Sequence, residues 1–181
     1  MTKYISILRG INVGGKRKIL MDDLRKLYEN LGFSNITTYI QSGNVIFDSK
    51  EKLVVNEIEN LIQQAIFETS NFDVPVIVRT LDEIVKSISN NPFTKEKDYD
   101  IERLYLTFLK ENPTTENLEK LKKFDFPLDK FEIIEKDVFG YCSGKFSDSK
   151  ITNNFFESKL KVVATTRNWK TVNKLFELAT N

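Results

Sequence analysis

Along this chain the spacing of apolar residues switches between strand and helix periods, and the same succession of switches occurs twice. Tyr4 to Leu8 (YISIL) is a short apolar run with β-branched residues and reads as a central strand. Met21, Leu24, Leu27, Tyr28 and Leu31 then recur at three- and four-residue spacing, and Gly32 stands where a helix C-cap belongs. Ile36 to Ile40 and Val45 to Phe47 predict two strands joined by a polar, glycine-bearing turn, Gln41-Ser42-Gly43-Asn44. Leu53, Ile58, Leu61, Ile62, Ala65 and Ile66 return to helical spacing, and Val74 to Val78 predicts a fourth strand. The order βαββαβ is that of the ferredoxin-like α-β plait, in which two helices cover one face of a four-stranded antiparallel sheet.

A connecting helix over Leu81 to Ser89 follows, and the polar segment Asn90 to Asp100, with its Asn-Pro step and clustered charges, predicts a boundary. Beyond it the order repeats. Leu104 to Leu109 reads as a strand, Thr114 to Lys122 as a helix, and Phe131 to Ile134 with Val138 to Cys142 as a second hairpin. A helix over Ile151 to Leu160, a short strand at Val162-Val163 and a last helix from Asn168 to about Leu178 complete the pattern, the last with Trp169, Val172, Leu175 and Phe176 on one face. The expected fold is α+β: tandem ferredoxin-like halves with antiparallel sheets, residues 1-90 and 101-181, and a C-terminal helix.

Composition changes this picture mainly by exclusion. Lys and Arg number 27 against 26 Asp and Glu, so any attraction to a polyanion must come from a local patch. The chain has no His, which removes the commonest general base and the commonest metal ligand. Its one Cys, Cys142, cannot form an internal disulfide and lies in a strand pattern that favours a buried, inert thiol over a nucleophile. No apolar run approaches the roughly 18 residues of a membrane span, and the expected location is cytoplasmic. No cofactor and no metal site is expected.

Candidate chemistry concentrates between Leu8 and Met21 (LRGINVGGKRKILM), where Gly10, Gly14 and Gly15 alternate with Arg9, Lys16, Arg17 and Lys18. Glycines let a backbone reach positive φ and approach a ligand, and successive N–H groups in such turns make anion-holding concavities. Gly10 to Lys16 also fits G-x4-G-K, but Arg17 stands where a P-loop carries its Mg²⁺-binding hydroxyl. The expected anion-binding set is Arg9, Gly10, Asn12, Gly14, Gly15 and Lys16, with Gln41, Ser42 and Asn44 of the turn and Arg167, Asn168 and Trp169 near the C-terminus. Each has a structural alternative. The glycines serve a tortuous turn equally well, the 41-to-44 turn closes a hairpin, Asn168 suits an N-cap, and Trp169 suits a core anchor.

Three stretches, LRGINVGGKRKILM, GFSNITTYIQSGNVIF and TTRNWKTVNKL, resemble the signatures of the uncharacterised bacterial proteins grouped as domain of unknown function family 1697. The resemblance extends over nearly the whole chain and implies the tandem ferredoxin-like arrangement; it implies no activity. Where the family usually reads Arg-Ser-Lys-Leu-Thr before its penultimate helix, this chain has Asp148-Ser149-Lys150-Ile151-Thr152, which replaces a positive charge by a negative one.

Among function classes, binding of a phosphate-bearing ligand, either a nucleotide or single-stranded nucleic acid, leads. Ferredoxin-like sheets do stack bases on aromatics, although the aromatic-rich RNP1 pattern is absent. The alternatives are a protein-interaction or structural module, which includes a homo-oligomer, and a His-free enzyme working through Lys16, Arg9 or a carboxylate such as Asp48. Metal catalysis is left only hard oxygen ligands.

Overall fold

The computed structural model describes residues 1–95 and 99–181. The chain divides into two compact units, one of residues 1–85 with 175–181, the other of residues 86–174. Of the boundary segment Asn90 to Asp100, residues 96–98 lie outside the described residues.

The first unit contains β1 (Thr2–Leu8), α1 (Met21–Asn30), β2 (Ser34–Tyr39), β3 (Asn44–Ser49), α2 (Val55–Ser70) and β4 (Val76–Thr80). Its strands form one antiparallel sheet in the order β2-β3-β1-β4, the order of the split βαβ plait. The second unit repeats the arrangement with β5 (Leu104–Leu109), α4 (Thr115–Leu121), β6 (Lys130–Ile134), β7 (Asp137–Tyr141), α5 (Asn153–Leu160) and β8 (Ala164–Asn168), ordered β6-β7-β5-β8. A helix follows each sheet's last strand: α3 (Leu81–Asn90) after β4 and α6 (Trp169–Thr180) after β8. The likeness reaches single positions. Buried Arg79 pairs with Ile5 of β1, and buried Arg167 pairs with Leu106 of β5.

The alternation within β1 explains why YISIL carries apolar residues almost without a break. Tyr4 and Leu8 join the cluster under α1 and α2, while Ile5 and Ile7 point to the opposite face and are buried as well. Ser6 is the polar exception on the helix side, where its Oγ shares a 2.6 Å hydrogen bond with the Tyr28 hydroxyl. Burial pushes that phenol well above its ordinary pKa, so the pair stays neutral and bonded. At the centre of the cluster Phe47 is fully buried, with ring centroids 4.5 Å from Phe33, 5.1 Å from Tyr28 and 5.8 Å from Tyr4. The second core gathers Val138, Cys142, Ile151, Phe156 and Leu160 with their neighbours.

Two expected strands move: β4 lies two residues later than expected, at Val76–Thr80, and β8 moves further. The strand predicted at Val162-Val163 begins instead at Ala164 and runs to Asn168, so α6 starts at Trp169. Lys161 ends α5 in the left-handed region at φ +59°, and the Val163 carbonyl accepts a hydrogen bond from Lys110 N–H. Apolar content misleads here because β8 carries polar side chains: Arg167 is buried, donating to Thr165 Oγ1 at 3.0 Å and to the Thr166 carbonyl at 2.9 Å.

Candidate functional site

The segment between β1 and α1 folds as a small hairpin that projects from the first unit. Val13 and Lys16 pair as an isolated antiparallel bridge, with Lys16 N–H donating to the Val13 carbonyl at 3.1 Å. Between them Gly14 and Gly15 both take positive φ, +58° and +73°, as a type I′ turn requires. The turn is what demands these two glycines. Residues 13–18 are exposed, so the hairpin is convex and forms no cradle like that of a P-loop. Helix α1 begins only at Met21, and the sheet beneath is antiparallel, which removes the P-loop context as well.

Asn12 holds the base of the hairpin. Its Nδ2 donates to the carbonyls of Ile19 (2.9 Å) and Gln41 (2.8 Å), while its Oδ1 accepts from Ile19 N–H at 2.9 Å. One side chain therefore ties both ends of the loop to each other and to the 41-to-44 turn. Asn12 sits at φ +55°, a conformation that Asn tolerates better than most residues. Arg17 also takes positive φ, +48°, within the same loop.

The 41-to-44 turn packs beneath the same loop. Gly43, at φ +79°, accepts from Leu8 N–H at 2.8 Å, and a Cβ there would come within 2.7 Å of Ile11 Cδ1 and 2.8 Å of Leu8 Cβ. Asn44 is fully buried and donates to the Tyr39 carbonyl (3.0 Å) and Ser42 Oγ (3.2 Å). The structure thus brings Asn12, Gln41, Ser42 and Asn44 together, but as the hairpin's foundation. Arg9, half-buried, donates its backbone N–H to the Pro75 carbonyl, and Gly10 lies beneath the Arg17 guanidinium, whose Nη1 is 3.6 Å from the place of a Gly10 Cβ.

Arg167, Asn168 and Trp169 belong to the other unit. Burial draws the Arg167 guanidinium down to about 10. Asn168 Oδ1 accepts from Thr171 N–H at 2.8 Å and caps α6, and Trp169 is buried edge-on to Phe139. Asp48 is nearly buried and accepts from Asn35 Nδ2 at 2.8 Å.

Charge is what distinguishes the hairpin. Lys16, Arg17 and Lys18 are consecutive and exposed, and among the described residues none makes an ion pair. Lys18 also borders a groove of about 580 Å³ between α1 and the end of α2, with Leu24, Leu27 and Ile66 in its floor and Lys26 on its rim. Arg17 and Lys18, outside the expected anion-binding set, complete an uninterrupted basic triplet with Lys16.

Residues 1–139 match the sequence profile of the protein family of unknown function DUF1697. The chain belongs to that family. Among solved structures, a conserved bacterial protein, SP0830 from Streptococcus pneumoniae, superimposes with a TM-score of 0.77 at 24% identity, covering 98% of each chain. This likeness establishes the tandem fold. No curated protein matches the chain.

Among the described residues, no helix is long and apolar enough to cross a membrane, and no group of three or more Cys, Asp or Glu is placed to hold a metal ion. Cys142 is buried, and burial pushes its thiol above the ordinary range. A raised thiol pKa contributes stability below that range and loses it as pH climbs through it. Cys142→Ser is accordingly expected to cost only modest stability at neutral pH, and native protein should react slowly with thiol reagents. Rapid stoichiometric labelling would contradict the inert assignment.

Proposed function

We propose that this DUF1697 chain binds the phosphate backbone of a single-stranded nucleic acid through the hairpin of residues 13–18. The observation that carries this reading is the exposed triplet Lys16-Arg17-Lys18, without ion-pair partners among the described residues, on a turn held by Asn12. A convex basic finger suits an extended polyanion, because successive phosphates can each meet a cation and release counterions. At the hairpin's base there is little room for a single nucleotide, since the cavity lined by Asn12, Lys18, Ile19 and Gln41 among others has a volume of about 90 Å³, against the roughly 300 Å³ or more of small-molecule sites. The larger groove that Lys18 borders has room for one, and is what an ATP control would probe. The near-zero net charge confines the attraction to this patch.

Fluorescence anisotropy with a mixed-sequence single-stranded oligonucleotide, over a series of salt concentrations, tests the reading. Substituting all three residues (Lys16→Ala, Arg17→Ala, Lys18→Ala) should leave the circular dichroism spectrum unchanged, since exposed charges contribute little to folding. Affinity should fall substantially, and the slope of log affinity against log salt should flatten by about 2 if all three cations meet phosphates. Failure of the wild type to bind, or equal affinity and slope in the two proteins, removes nucleic-acid binding from the hairpin. Binding of ATP with no binding of the oligonucleotide redirects the site to a nucleotide.

A further inference from the structure

Each sheet has two edge strands, and three of the four edges carry a device that discourages further pairing. In the first unit β2 is irregular between Ser34 and Thr37, with Asn35 at φ +51°, and buried Glu59 accepts from Val78 N–H of β4 at 2.9 Å. In the second unit Glu157 accepts from Ala164 N–H of β8 at 3.0 Å. Bulges and covering side chains of this kind are how edges are protected from unwanted partners. The fourth edge, β6, pairs with β7 from Lys130 to Ile134 without a bulge.

We propose that β6 is the docking edge for a second copy of this chain, the two β6 strands lying antiparallel about a two-fold axis at Phe131. The hairpin geometry sets which groups are offered. Glu135 and Lys136 form a two-residue turn between paired Ile134 and Asp137, so Ile134, Glu132 and Lys130 direct their backbone groups at β7. Those of Phe131 and Ile133 therefore face outward, and pairing centred on Phe131 uses the outward set.

Charge selects this register over its neighbours. Centred on Phe131, Lys130 of each copy stands opposite Glu132 of the other, twice per dimer. Centred on Glu132, two carboxylates would oppose each other; centred on Ile133, Lys130 would oppose Lys136. Opposite charges across a strand pair stabilise and like charges destabilise. The same register carries Leu128, 74% exposed, toward Ile134 of the other copy. Lys130 and Glu132 are themselves exposed and oppose Tyr141 and Phe139 of β7, so each copy leaves both charges at its edge. An isologous contact of this kind closes on itself and makes a dimer, not a fibre.

Sedimentation velocity of the full chain over a concentration series supplies the test. Wild type should show a monomer–dimer equilibrium. Lys130→Glu and Glu132→Lys each replace two attractive contacts by two repulsive ones, and each alone should raise the dissociation constant by roughly tenfold or more. Mixed in equal amounts, the two variants should form a heterodimer, because all four charges are again opposite; the double variant K130E/E132K should self-associate like wild type. A wild type that stays monomeric at every concentration overturns the proposal. So do single variants that dimerise normally, or a mixture that fails to recover association. Circular dichroism of each variant shows that the exposed substitutions leave the fold intact.

Discussion

Gly43→Val should destabilise the protein by roughly 3 kcal/mol or more, through left-handed strain and overpacking that act together. A β-branched residue at φ +79° is held in a region that L side chains avoid. Its Cβ would also lie 2.7 Å from Ile11 Cδ1 and 2.8 Å from Leu8 Cβ. Ile11 could rotate away, but Leu8 Cβ moves only with β1. Gly14→Val is the matched comparison: φ is +58°, yet no atom lies within 4 Å of the new Cβ, so only the conformational cost of about 1 to 2 kcal/mol remains. Urea unfolding followed by circular dichroism measures both. Equal losses would mean that the turn at Gly43 yields easily and does not support the hairpin.

Phe47→Ala should cost about 3 to 5 kcal/mol, the range for removing a fully buried ring whose site cannot collapse. Three rings surround it, Tyr4, Tyr28 and Phe33, and Tyr28 is held in place by its hydrogen bond to Ser6. Tyr28 cannot enter the cavity without breaking that bond, nor Tyr4 without shifting β1. Phe47→Leu should recover more than half of the loss, because most of the volume returns. The same urea titration, read also through the fluorescence of Trp169 in the second unit, reports whether both units respond. A loss below about 1.5 kcal/mol for the alanine variant would show that the cluster repacks, well under the expected range.

Much of the fold was legible in the sequence because strand and helix periods are local properties of the chain. YISIL and LYLTFL announce the central strands, and the spacing from Met21 to Leu31 announces α1 with Gly32 just beyond its end. β8 escapes such reading because an edge strand that buries an arginine and a threonine has no apolar alternation. The glycines and basic residues of the hairpin were likewise visible, and so was the anion reading, since glycine content and charge are written in the letters.

The division of labour inside the site came only from the tertiary structure. Nothing in the sequence shows that Asn12 spans from Ile19 to Gln41, or that Gly43 is glycine because Leu8 and Ile11 leave no room for a Cβ. These are distances between segments remote in sequence, and they place the Gln41 carbonyl, Ser42 and Asn44 in the hydrogen bonds at the hairpin's base. For Arg167, Asn168 and Trp169 the structure shows a guanidinium bonded within β8, a cap on α6 and a buried ring. The sequence determined where the basic residues cluster. Folding decided which of them remain in solvent with their charge unspent, because only packing and pairing in three dimensions neutralise a cation or leave it exposed.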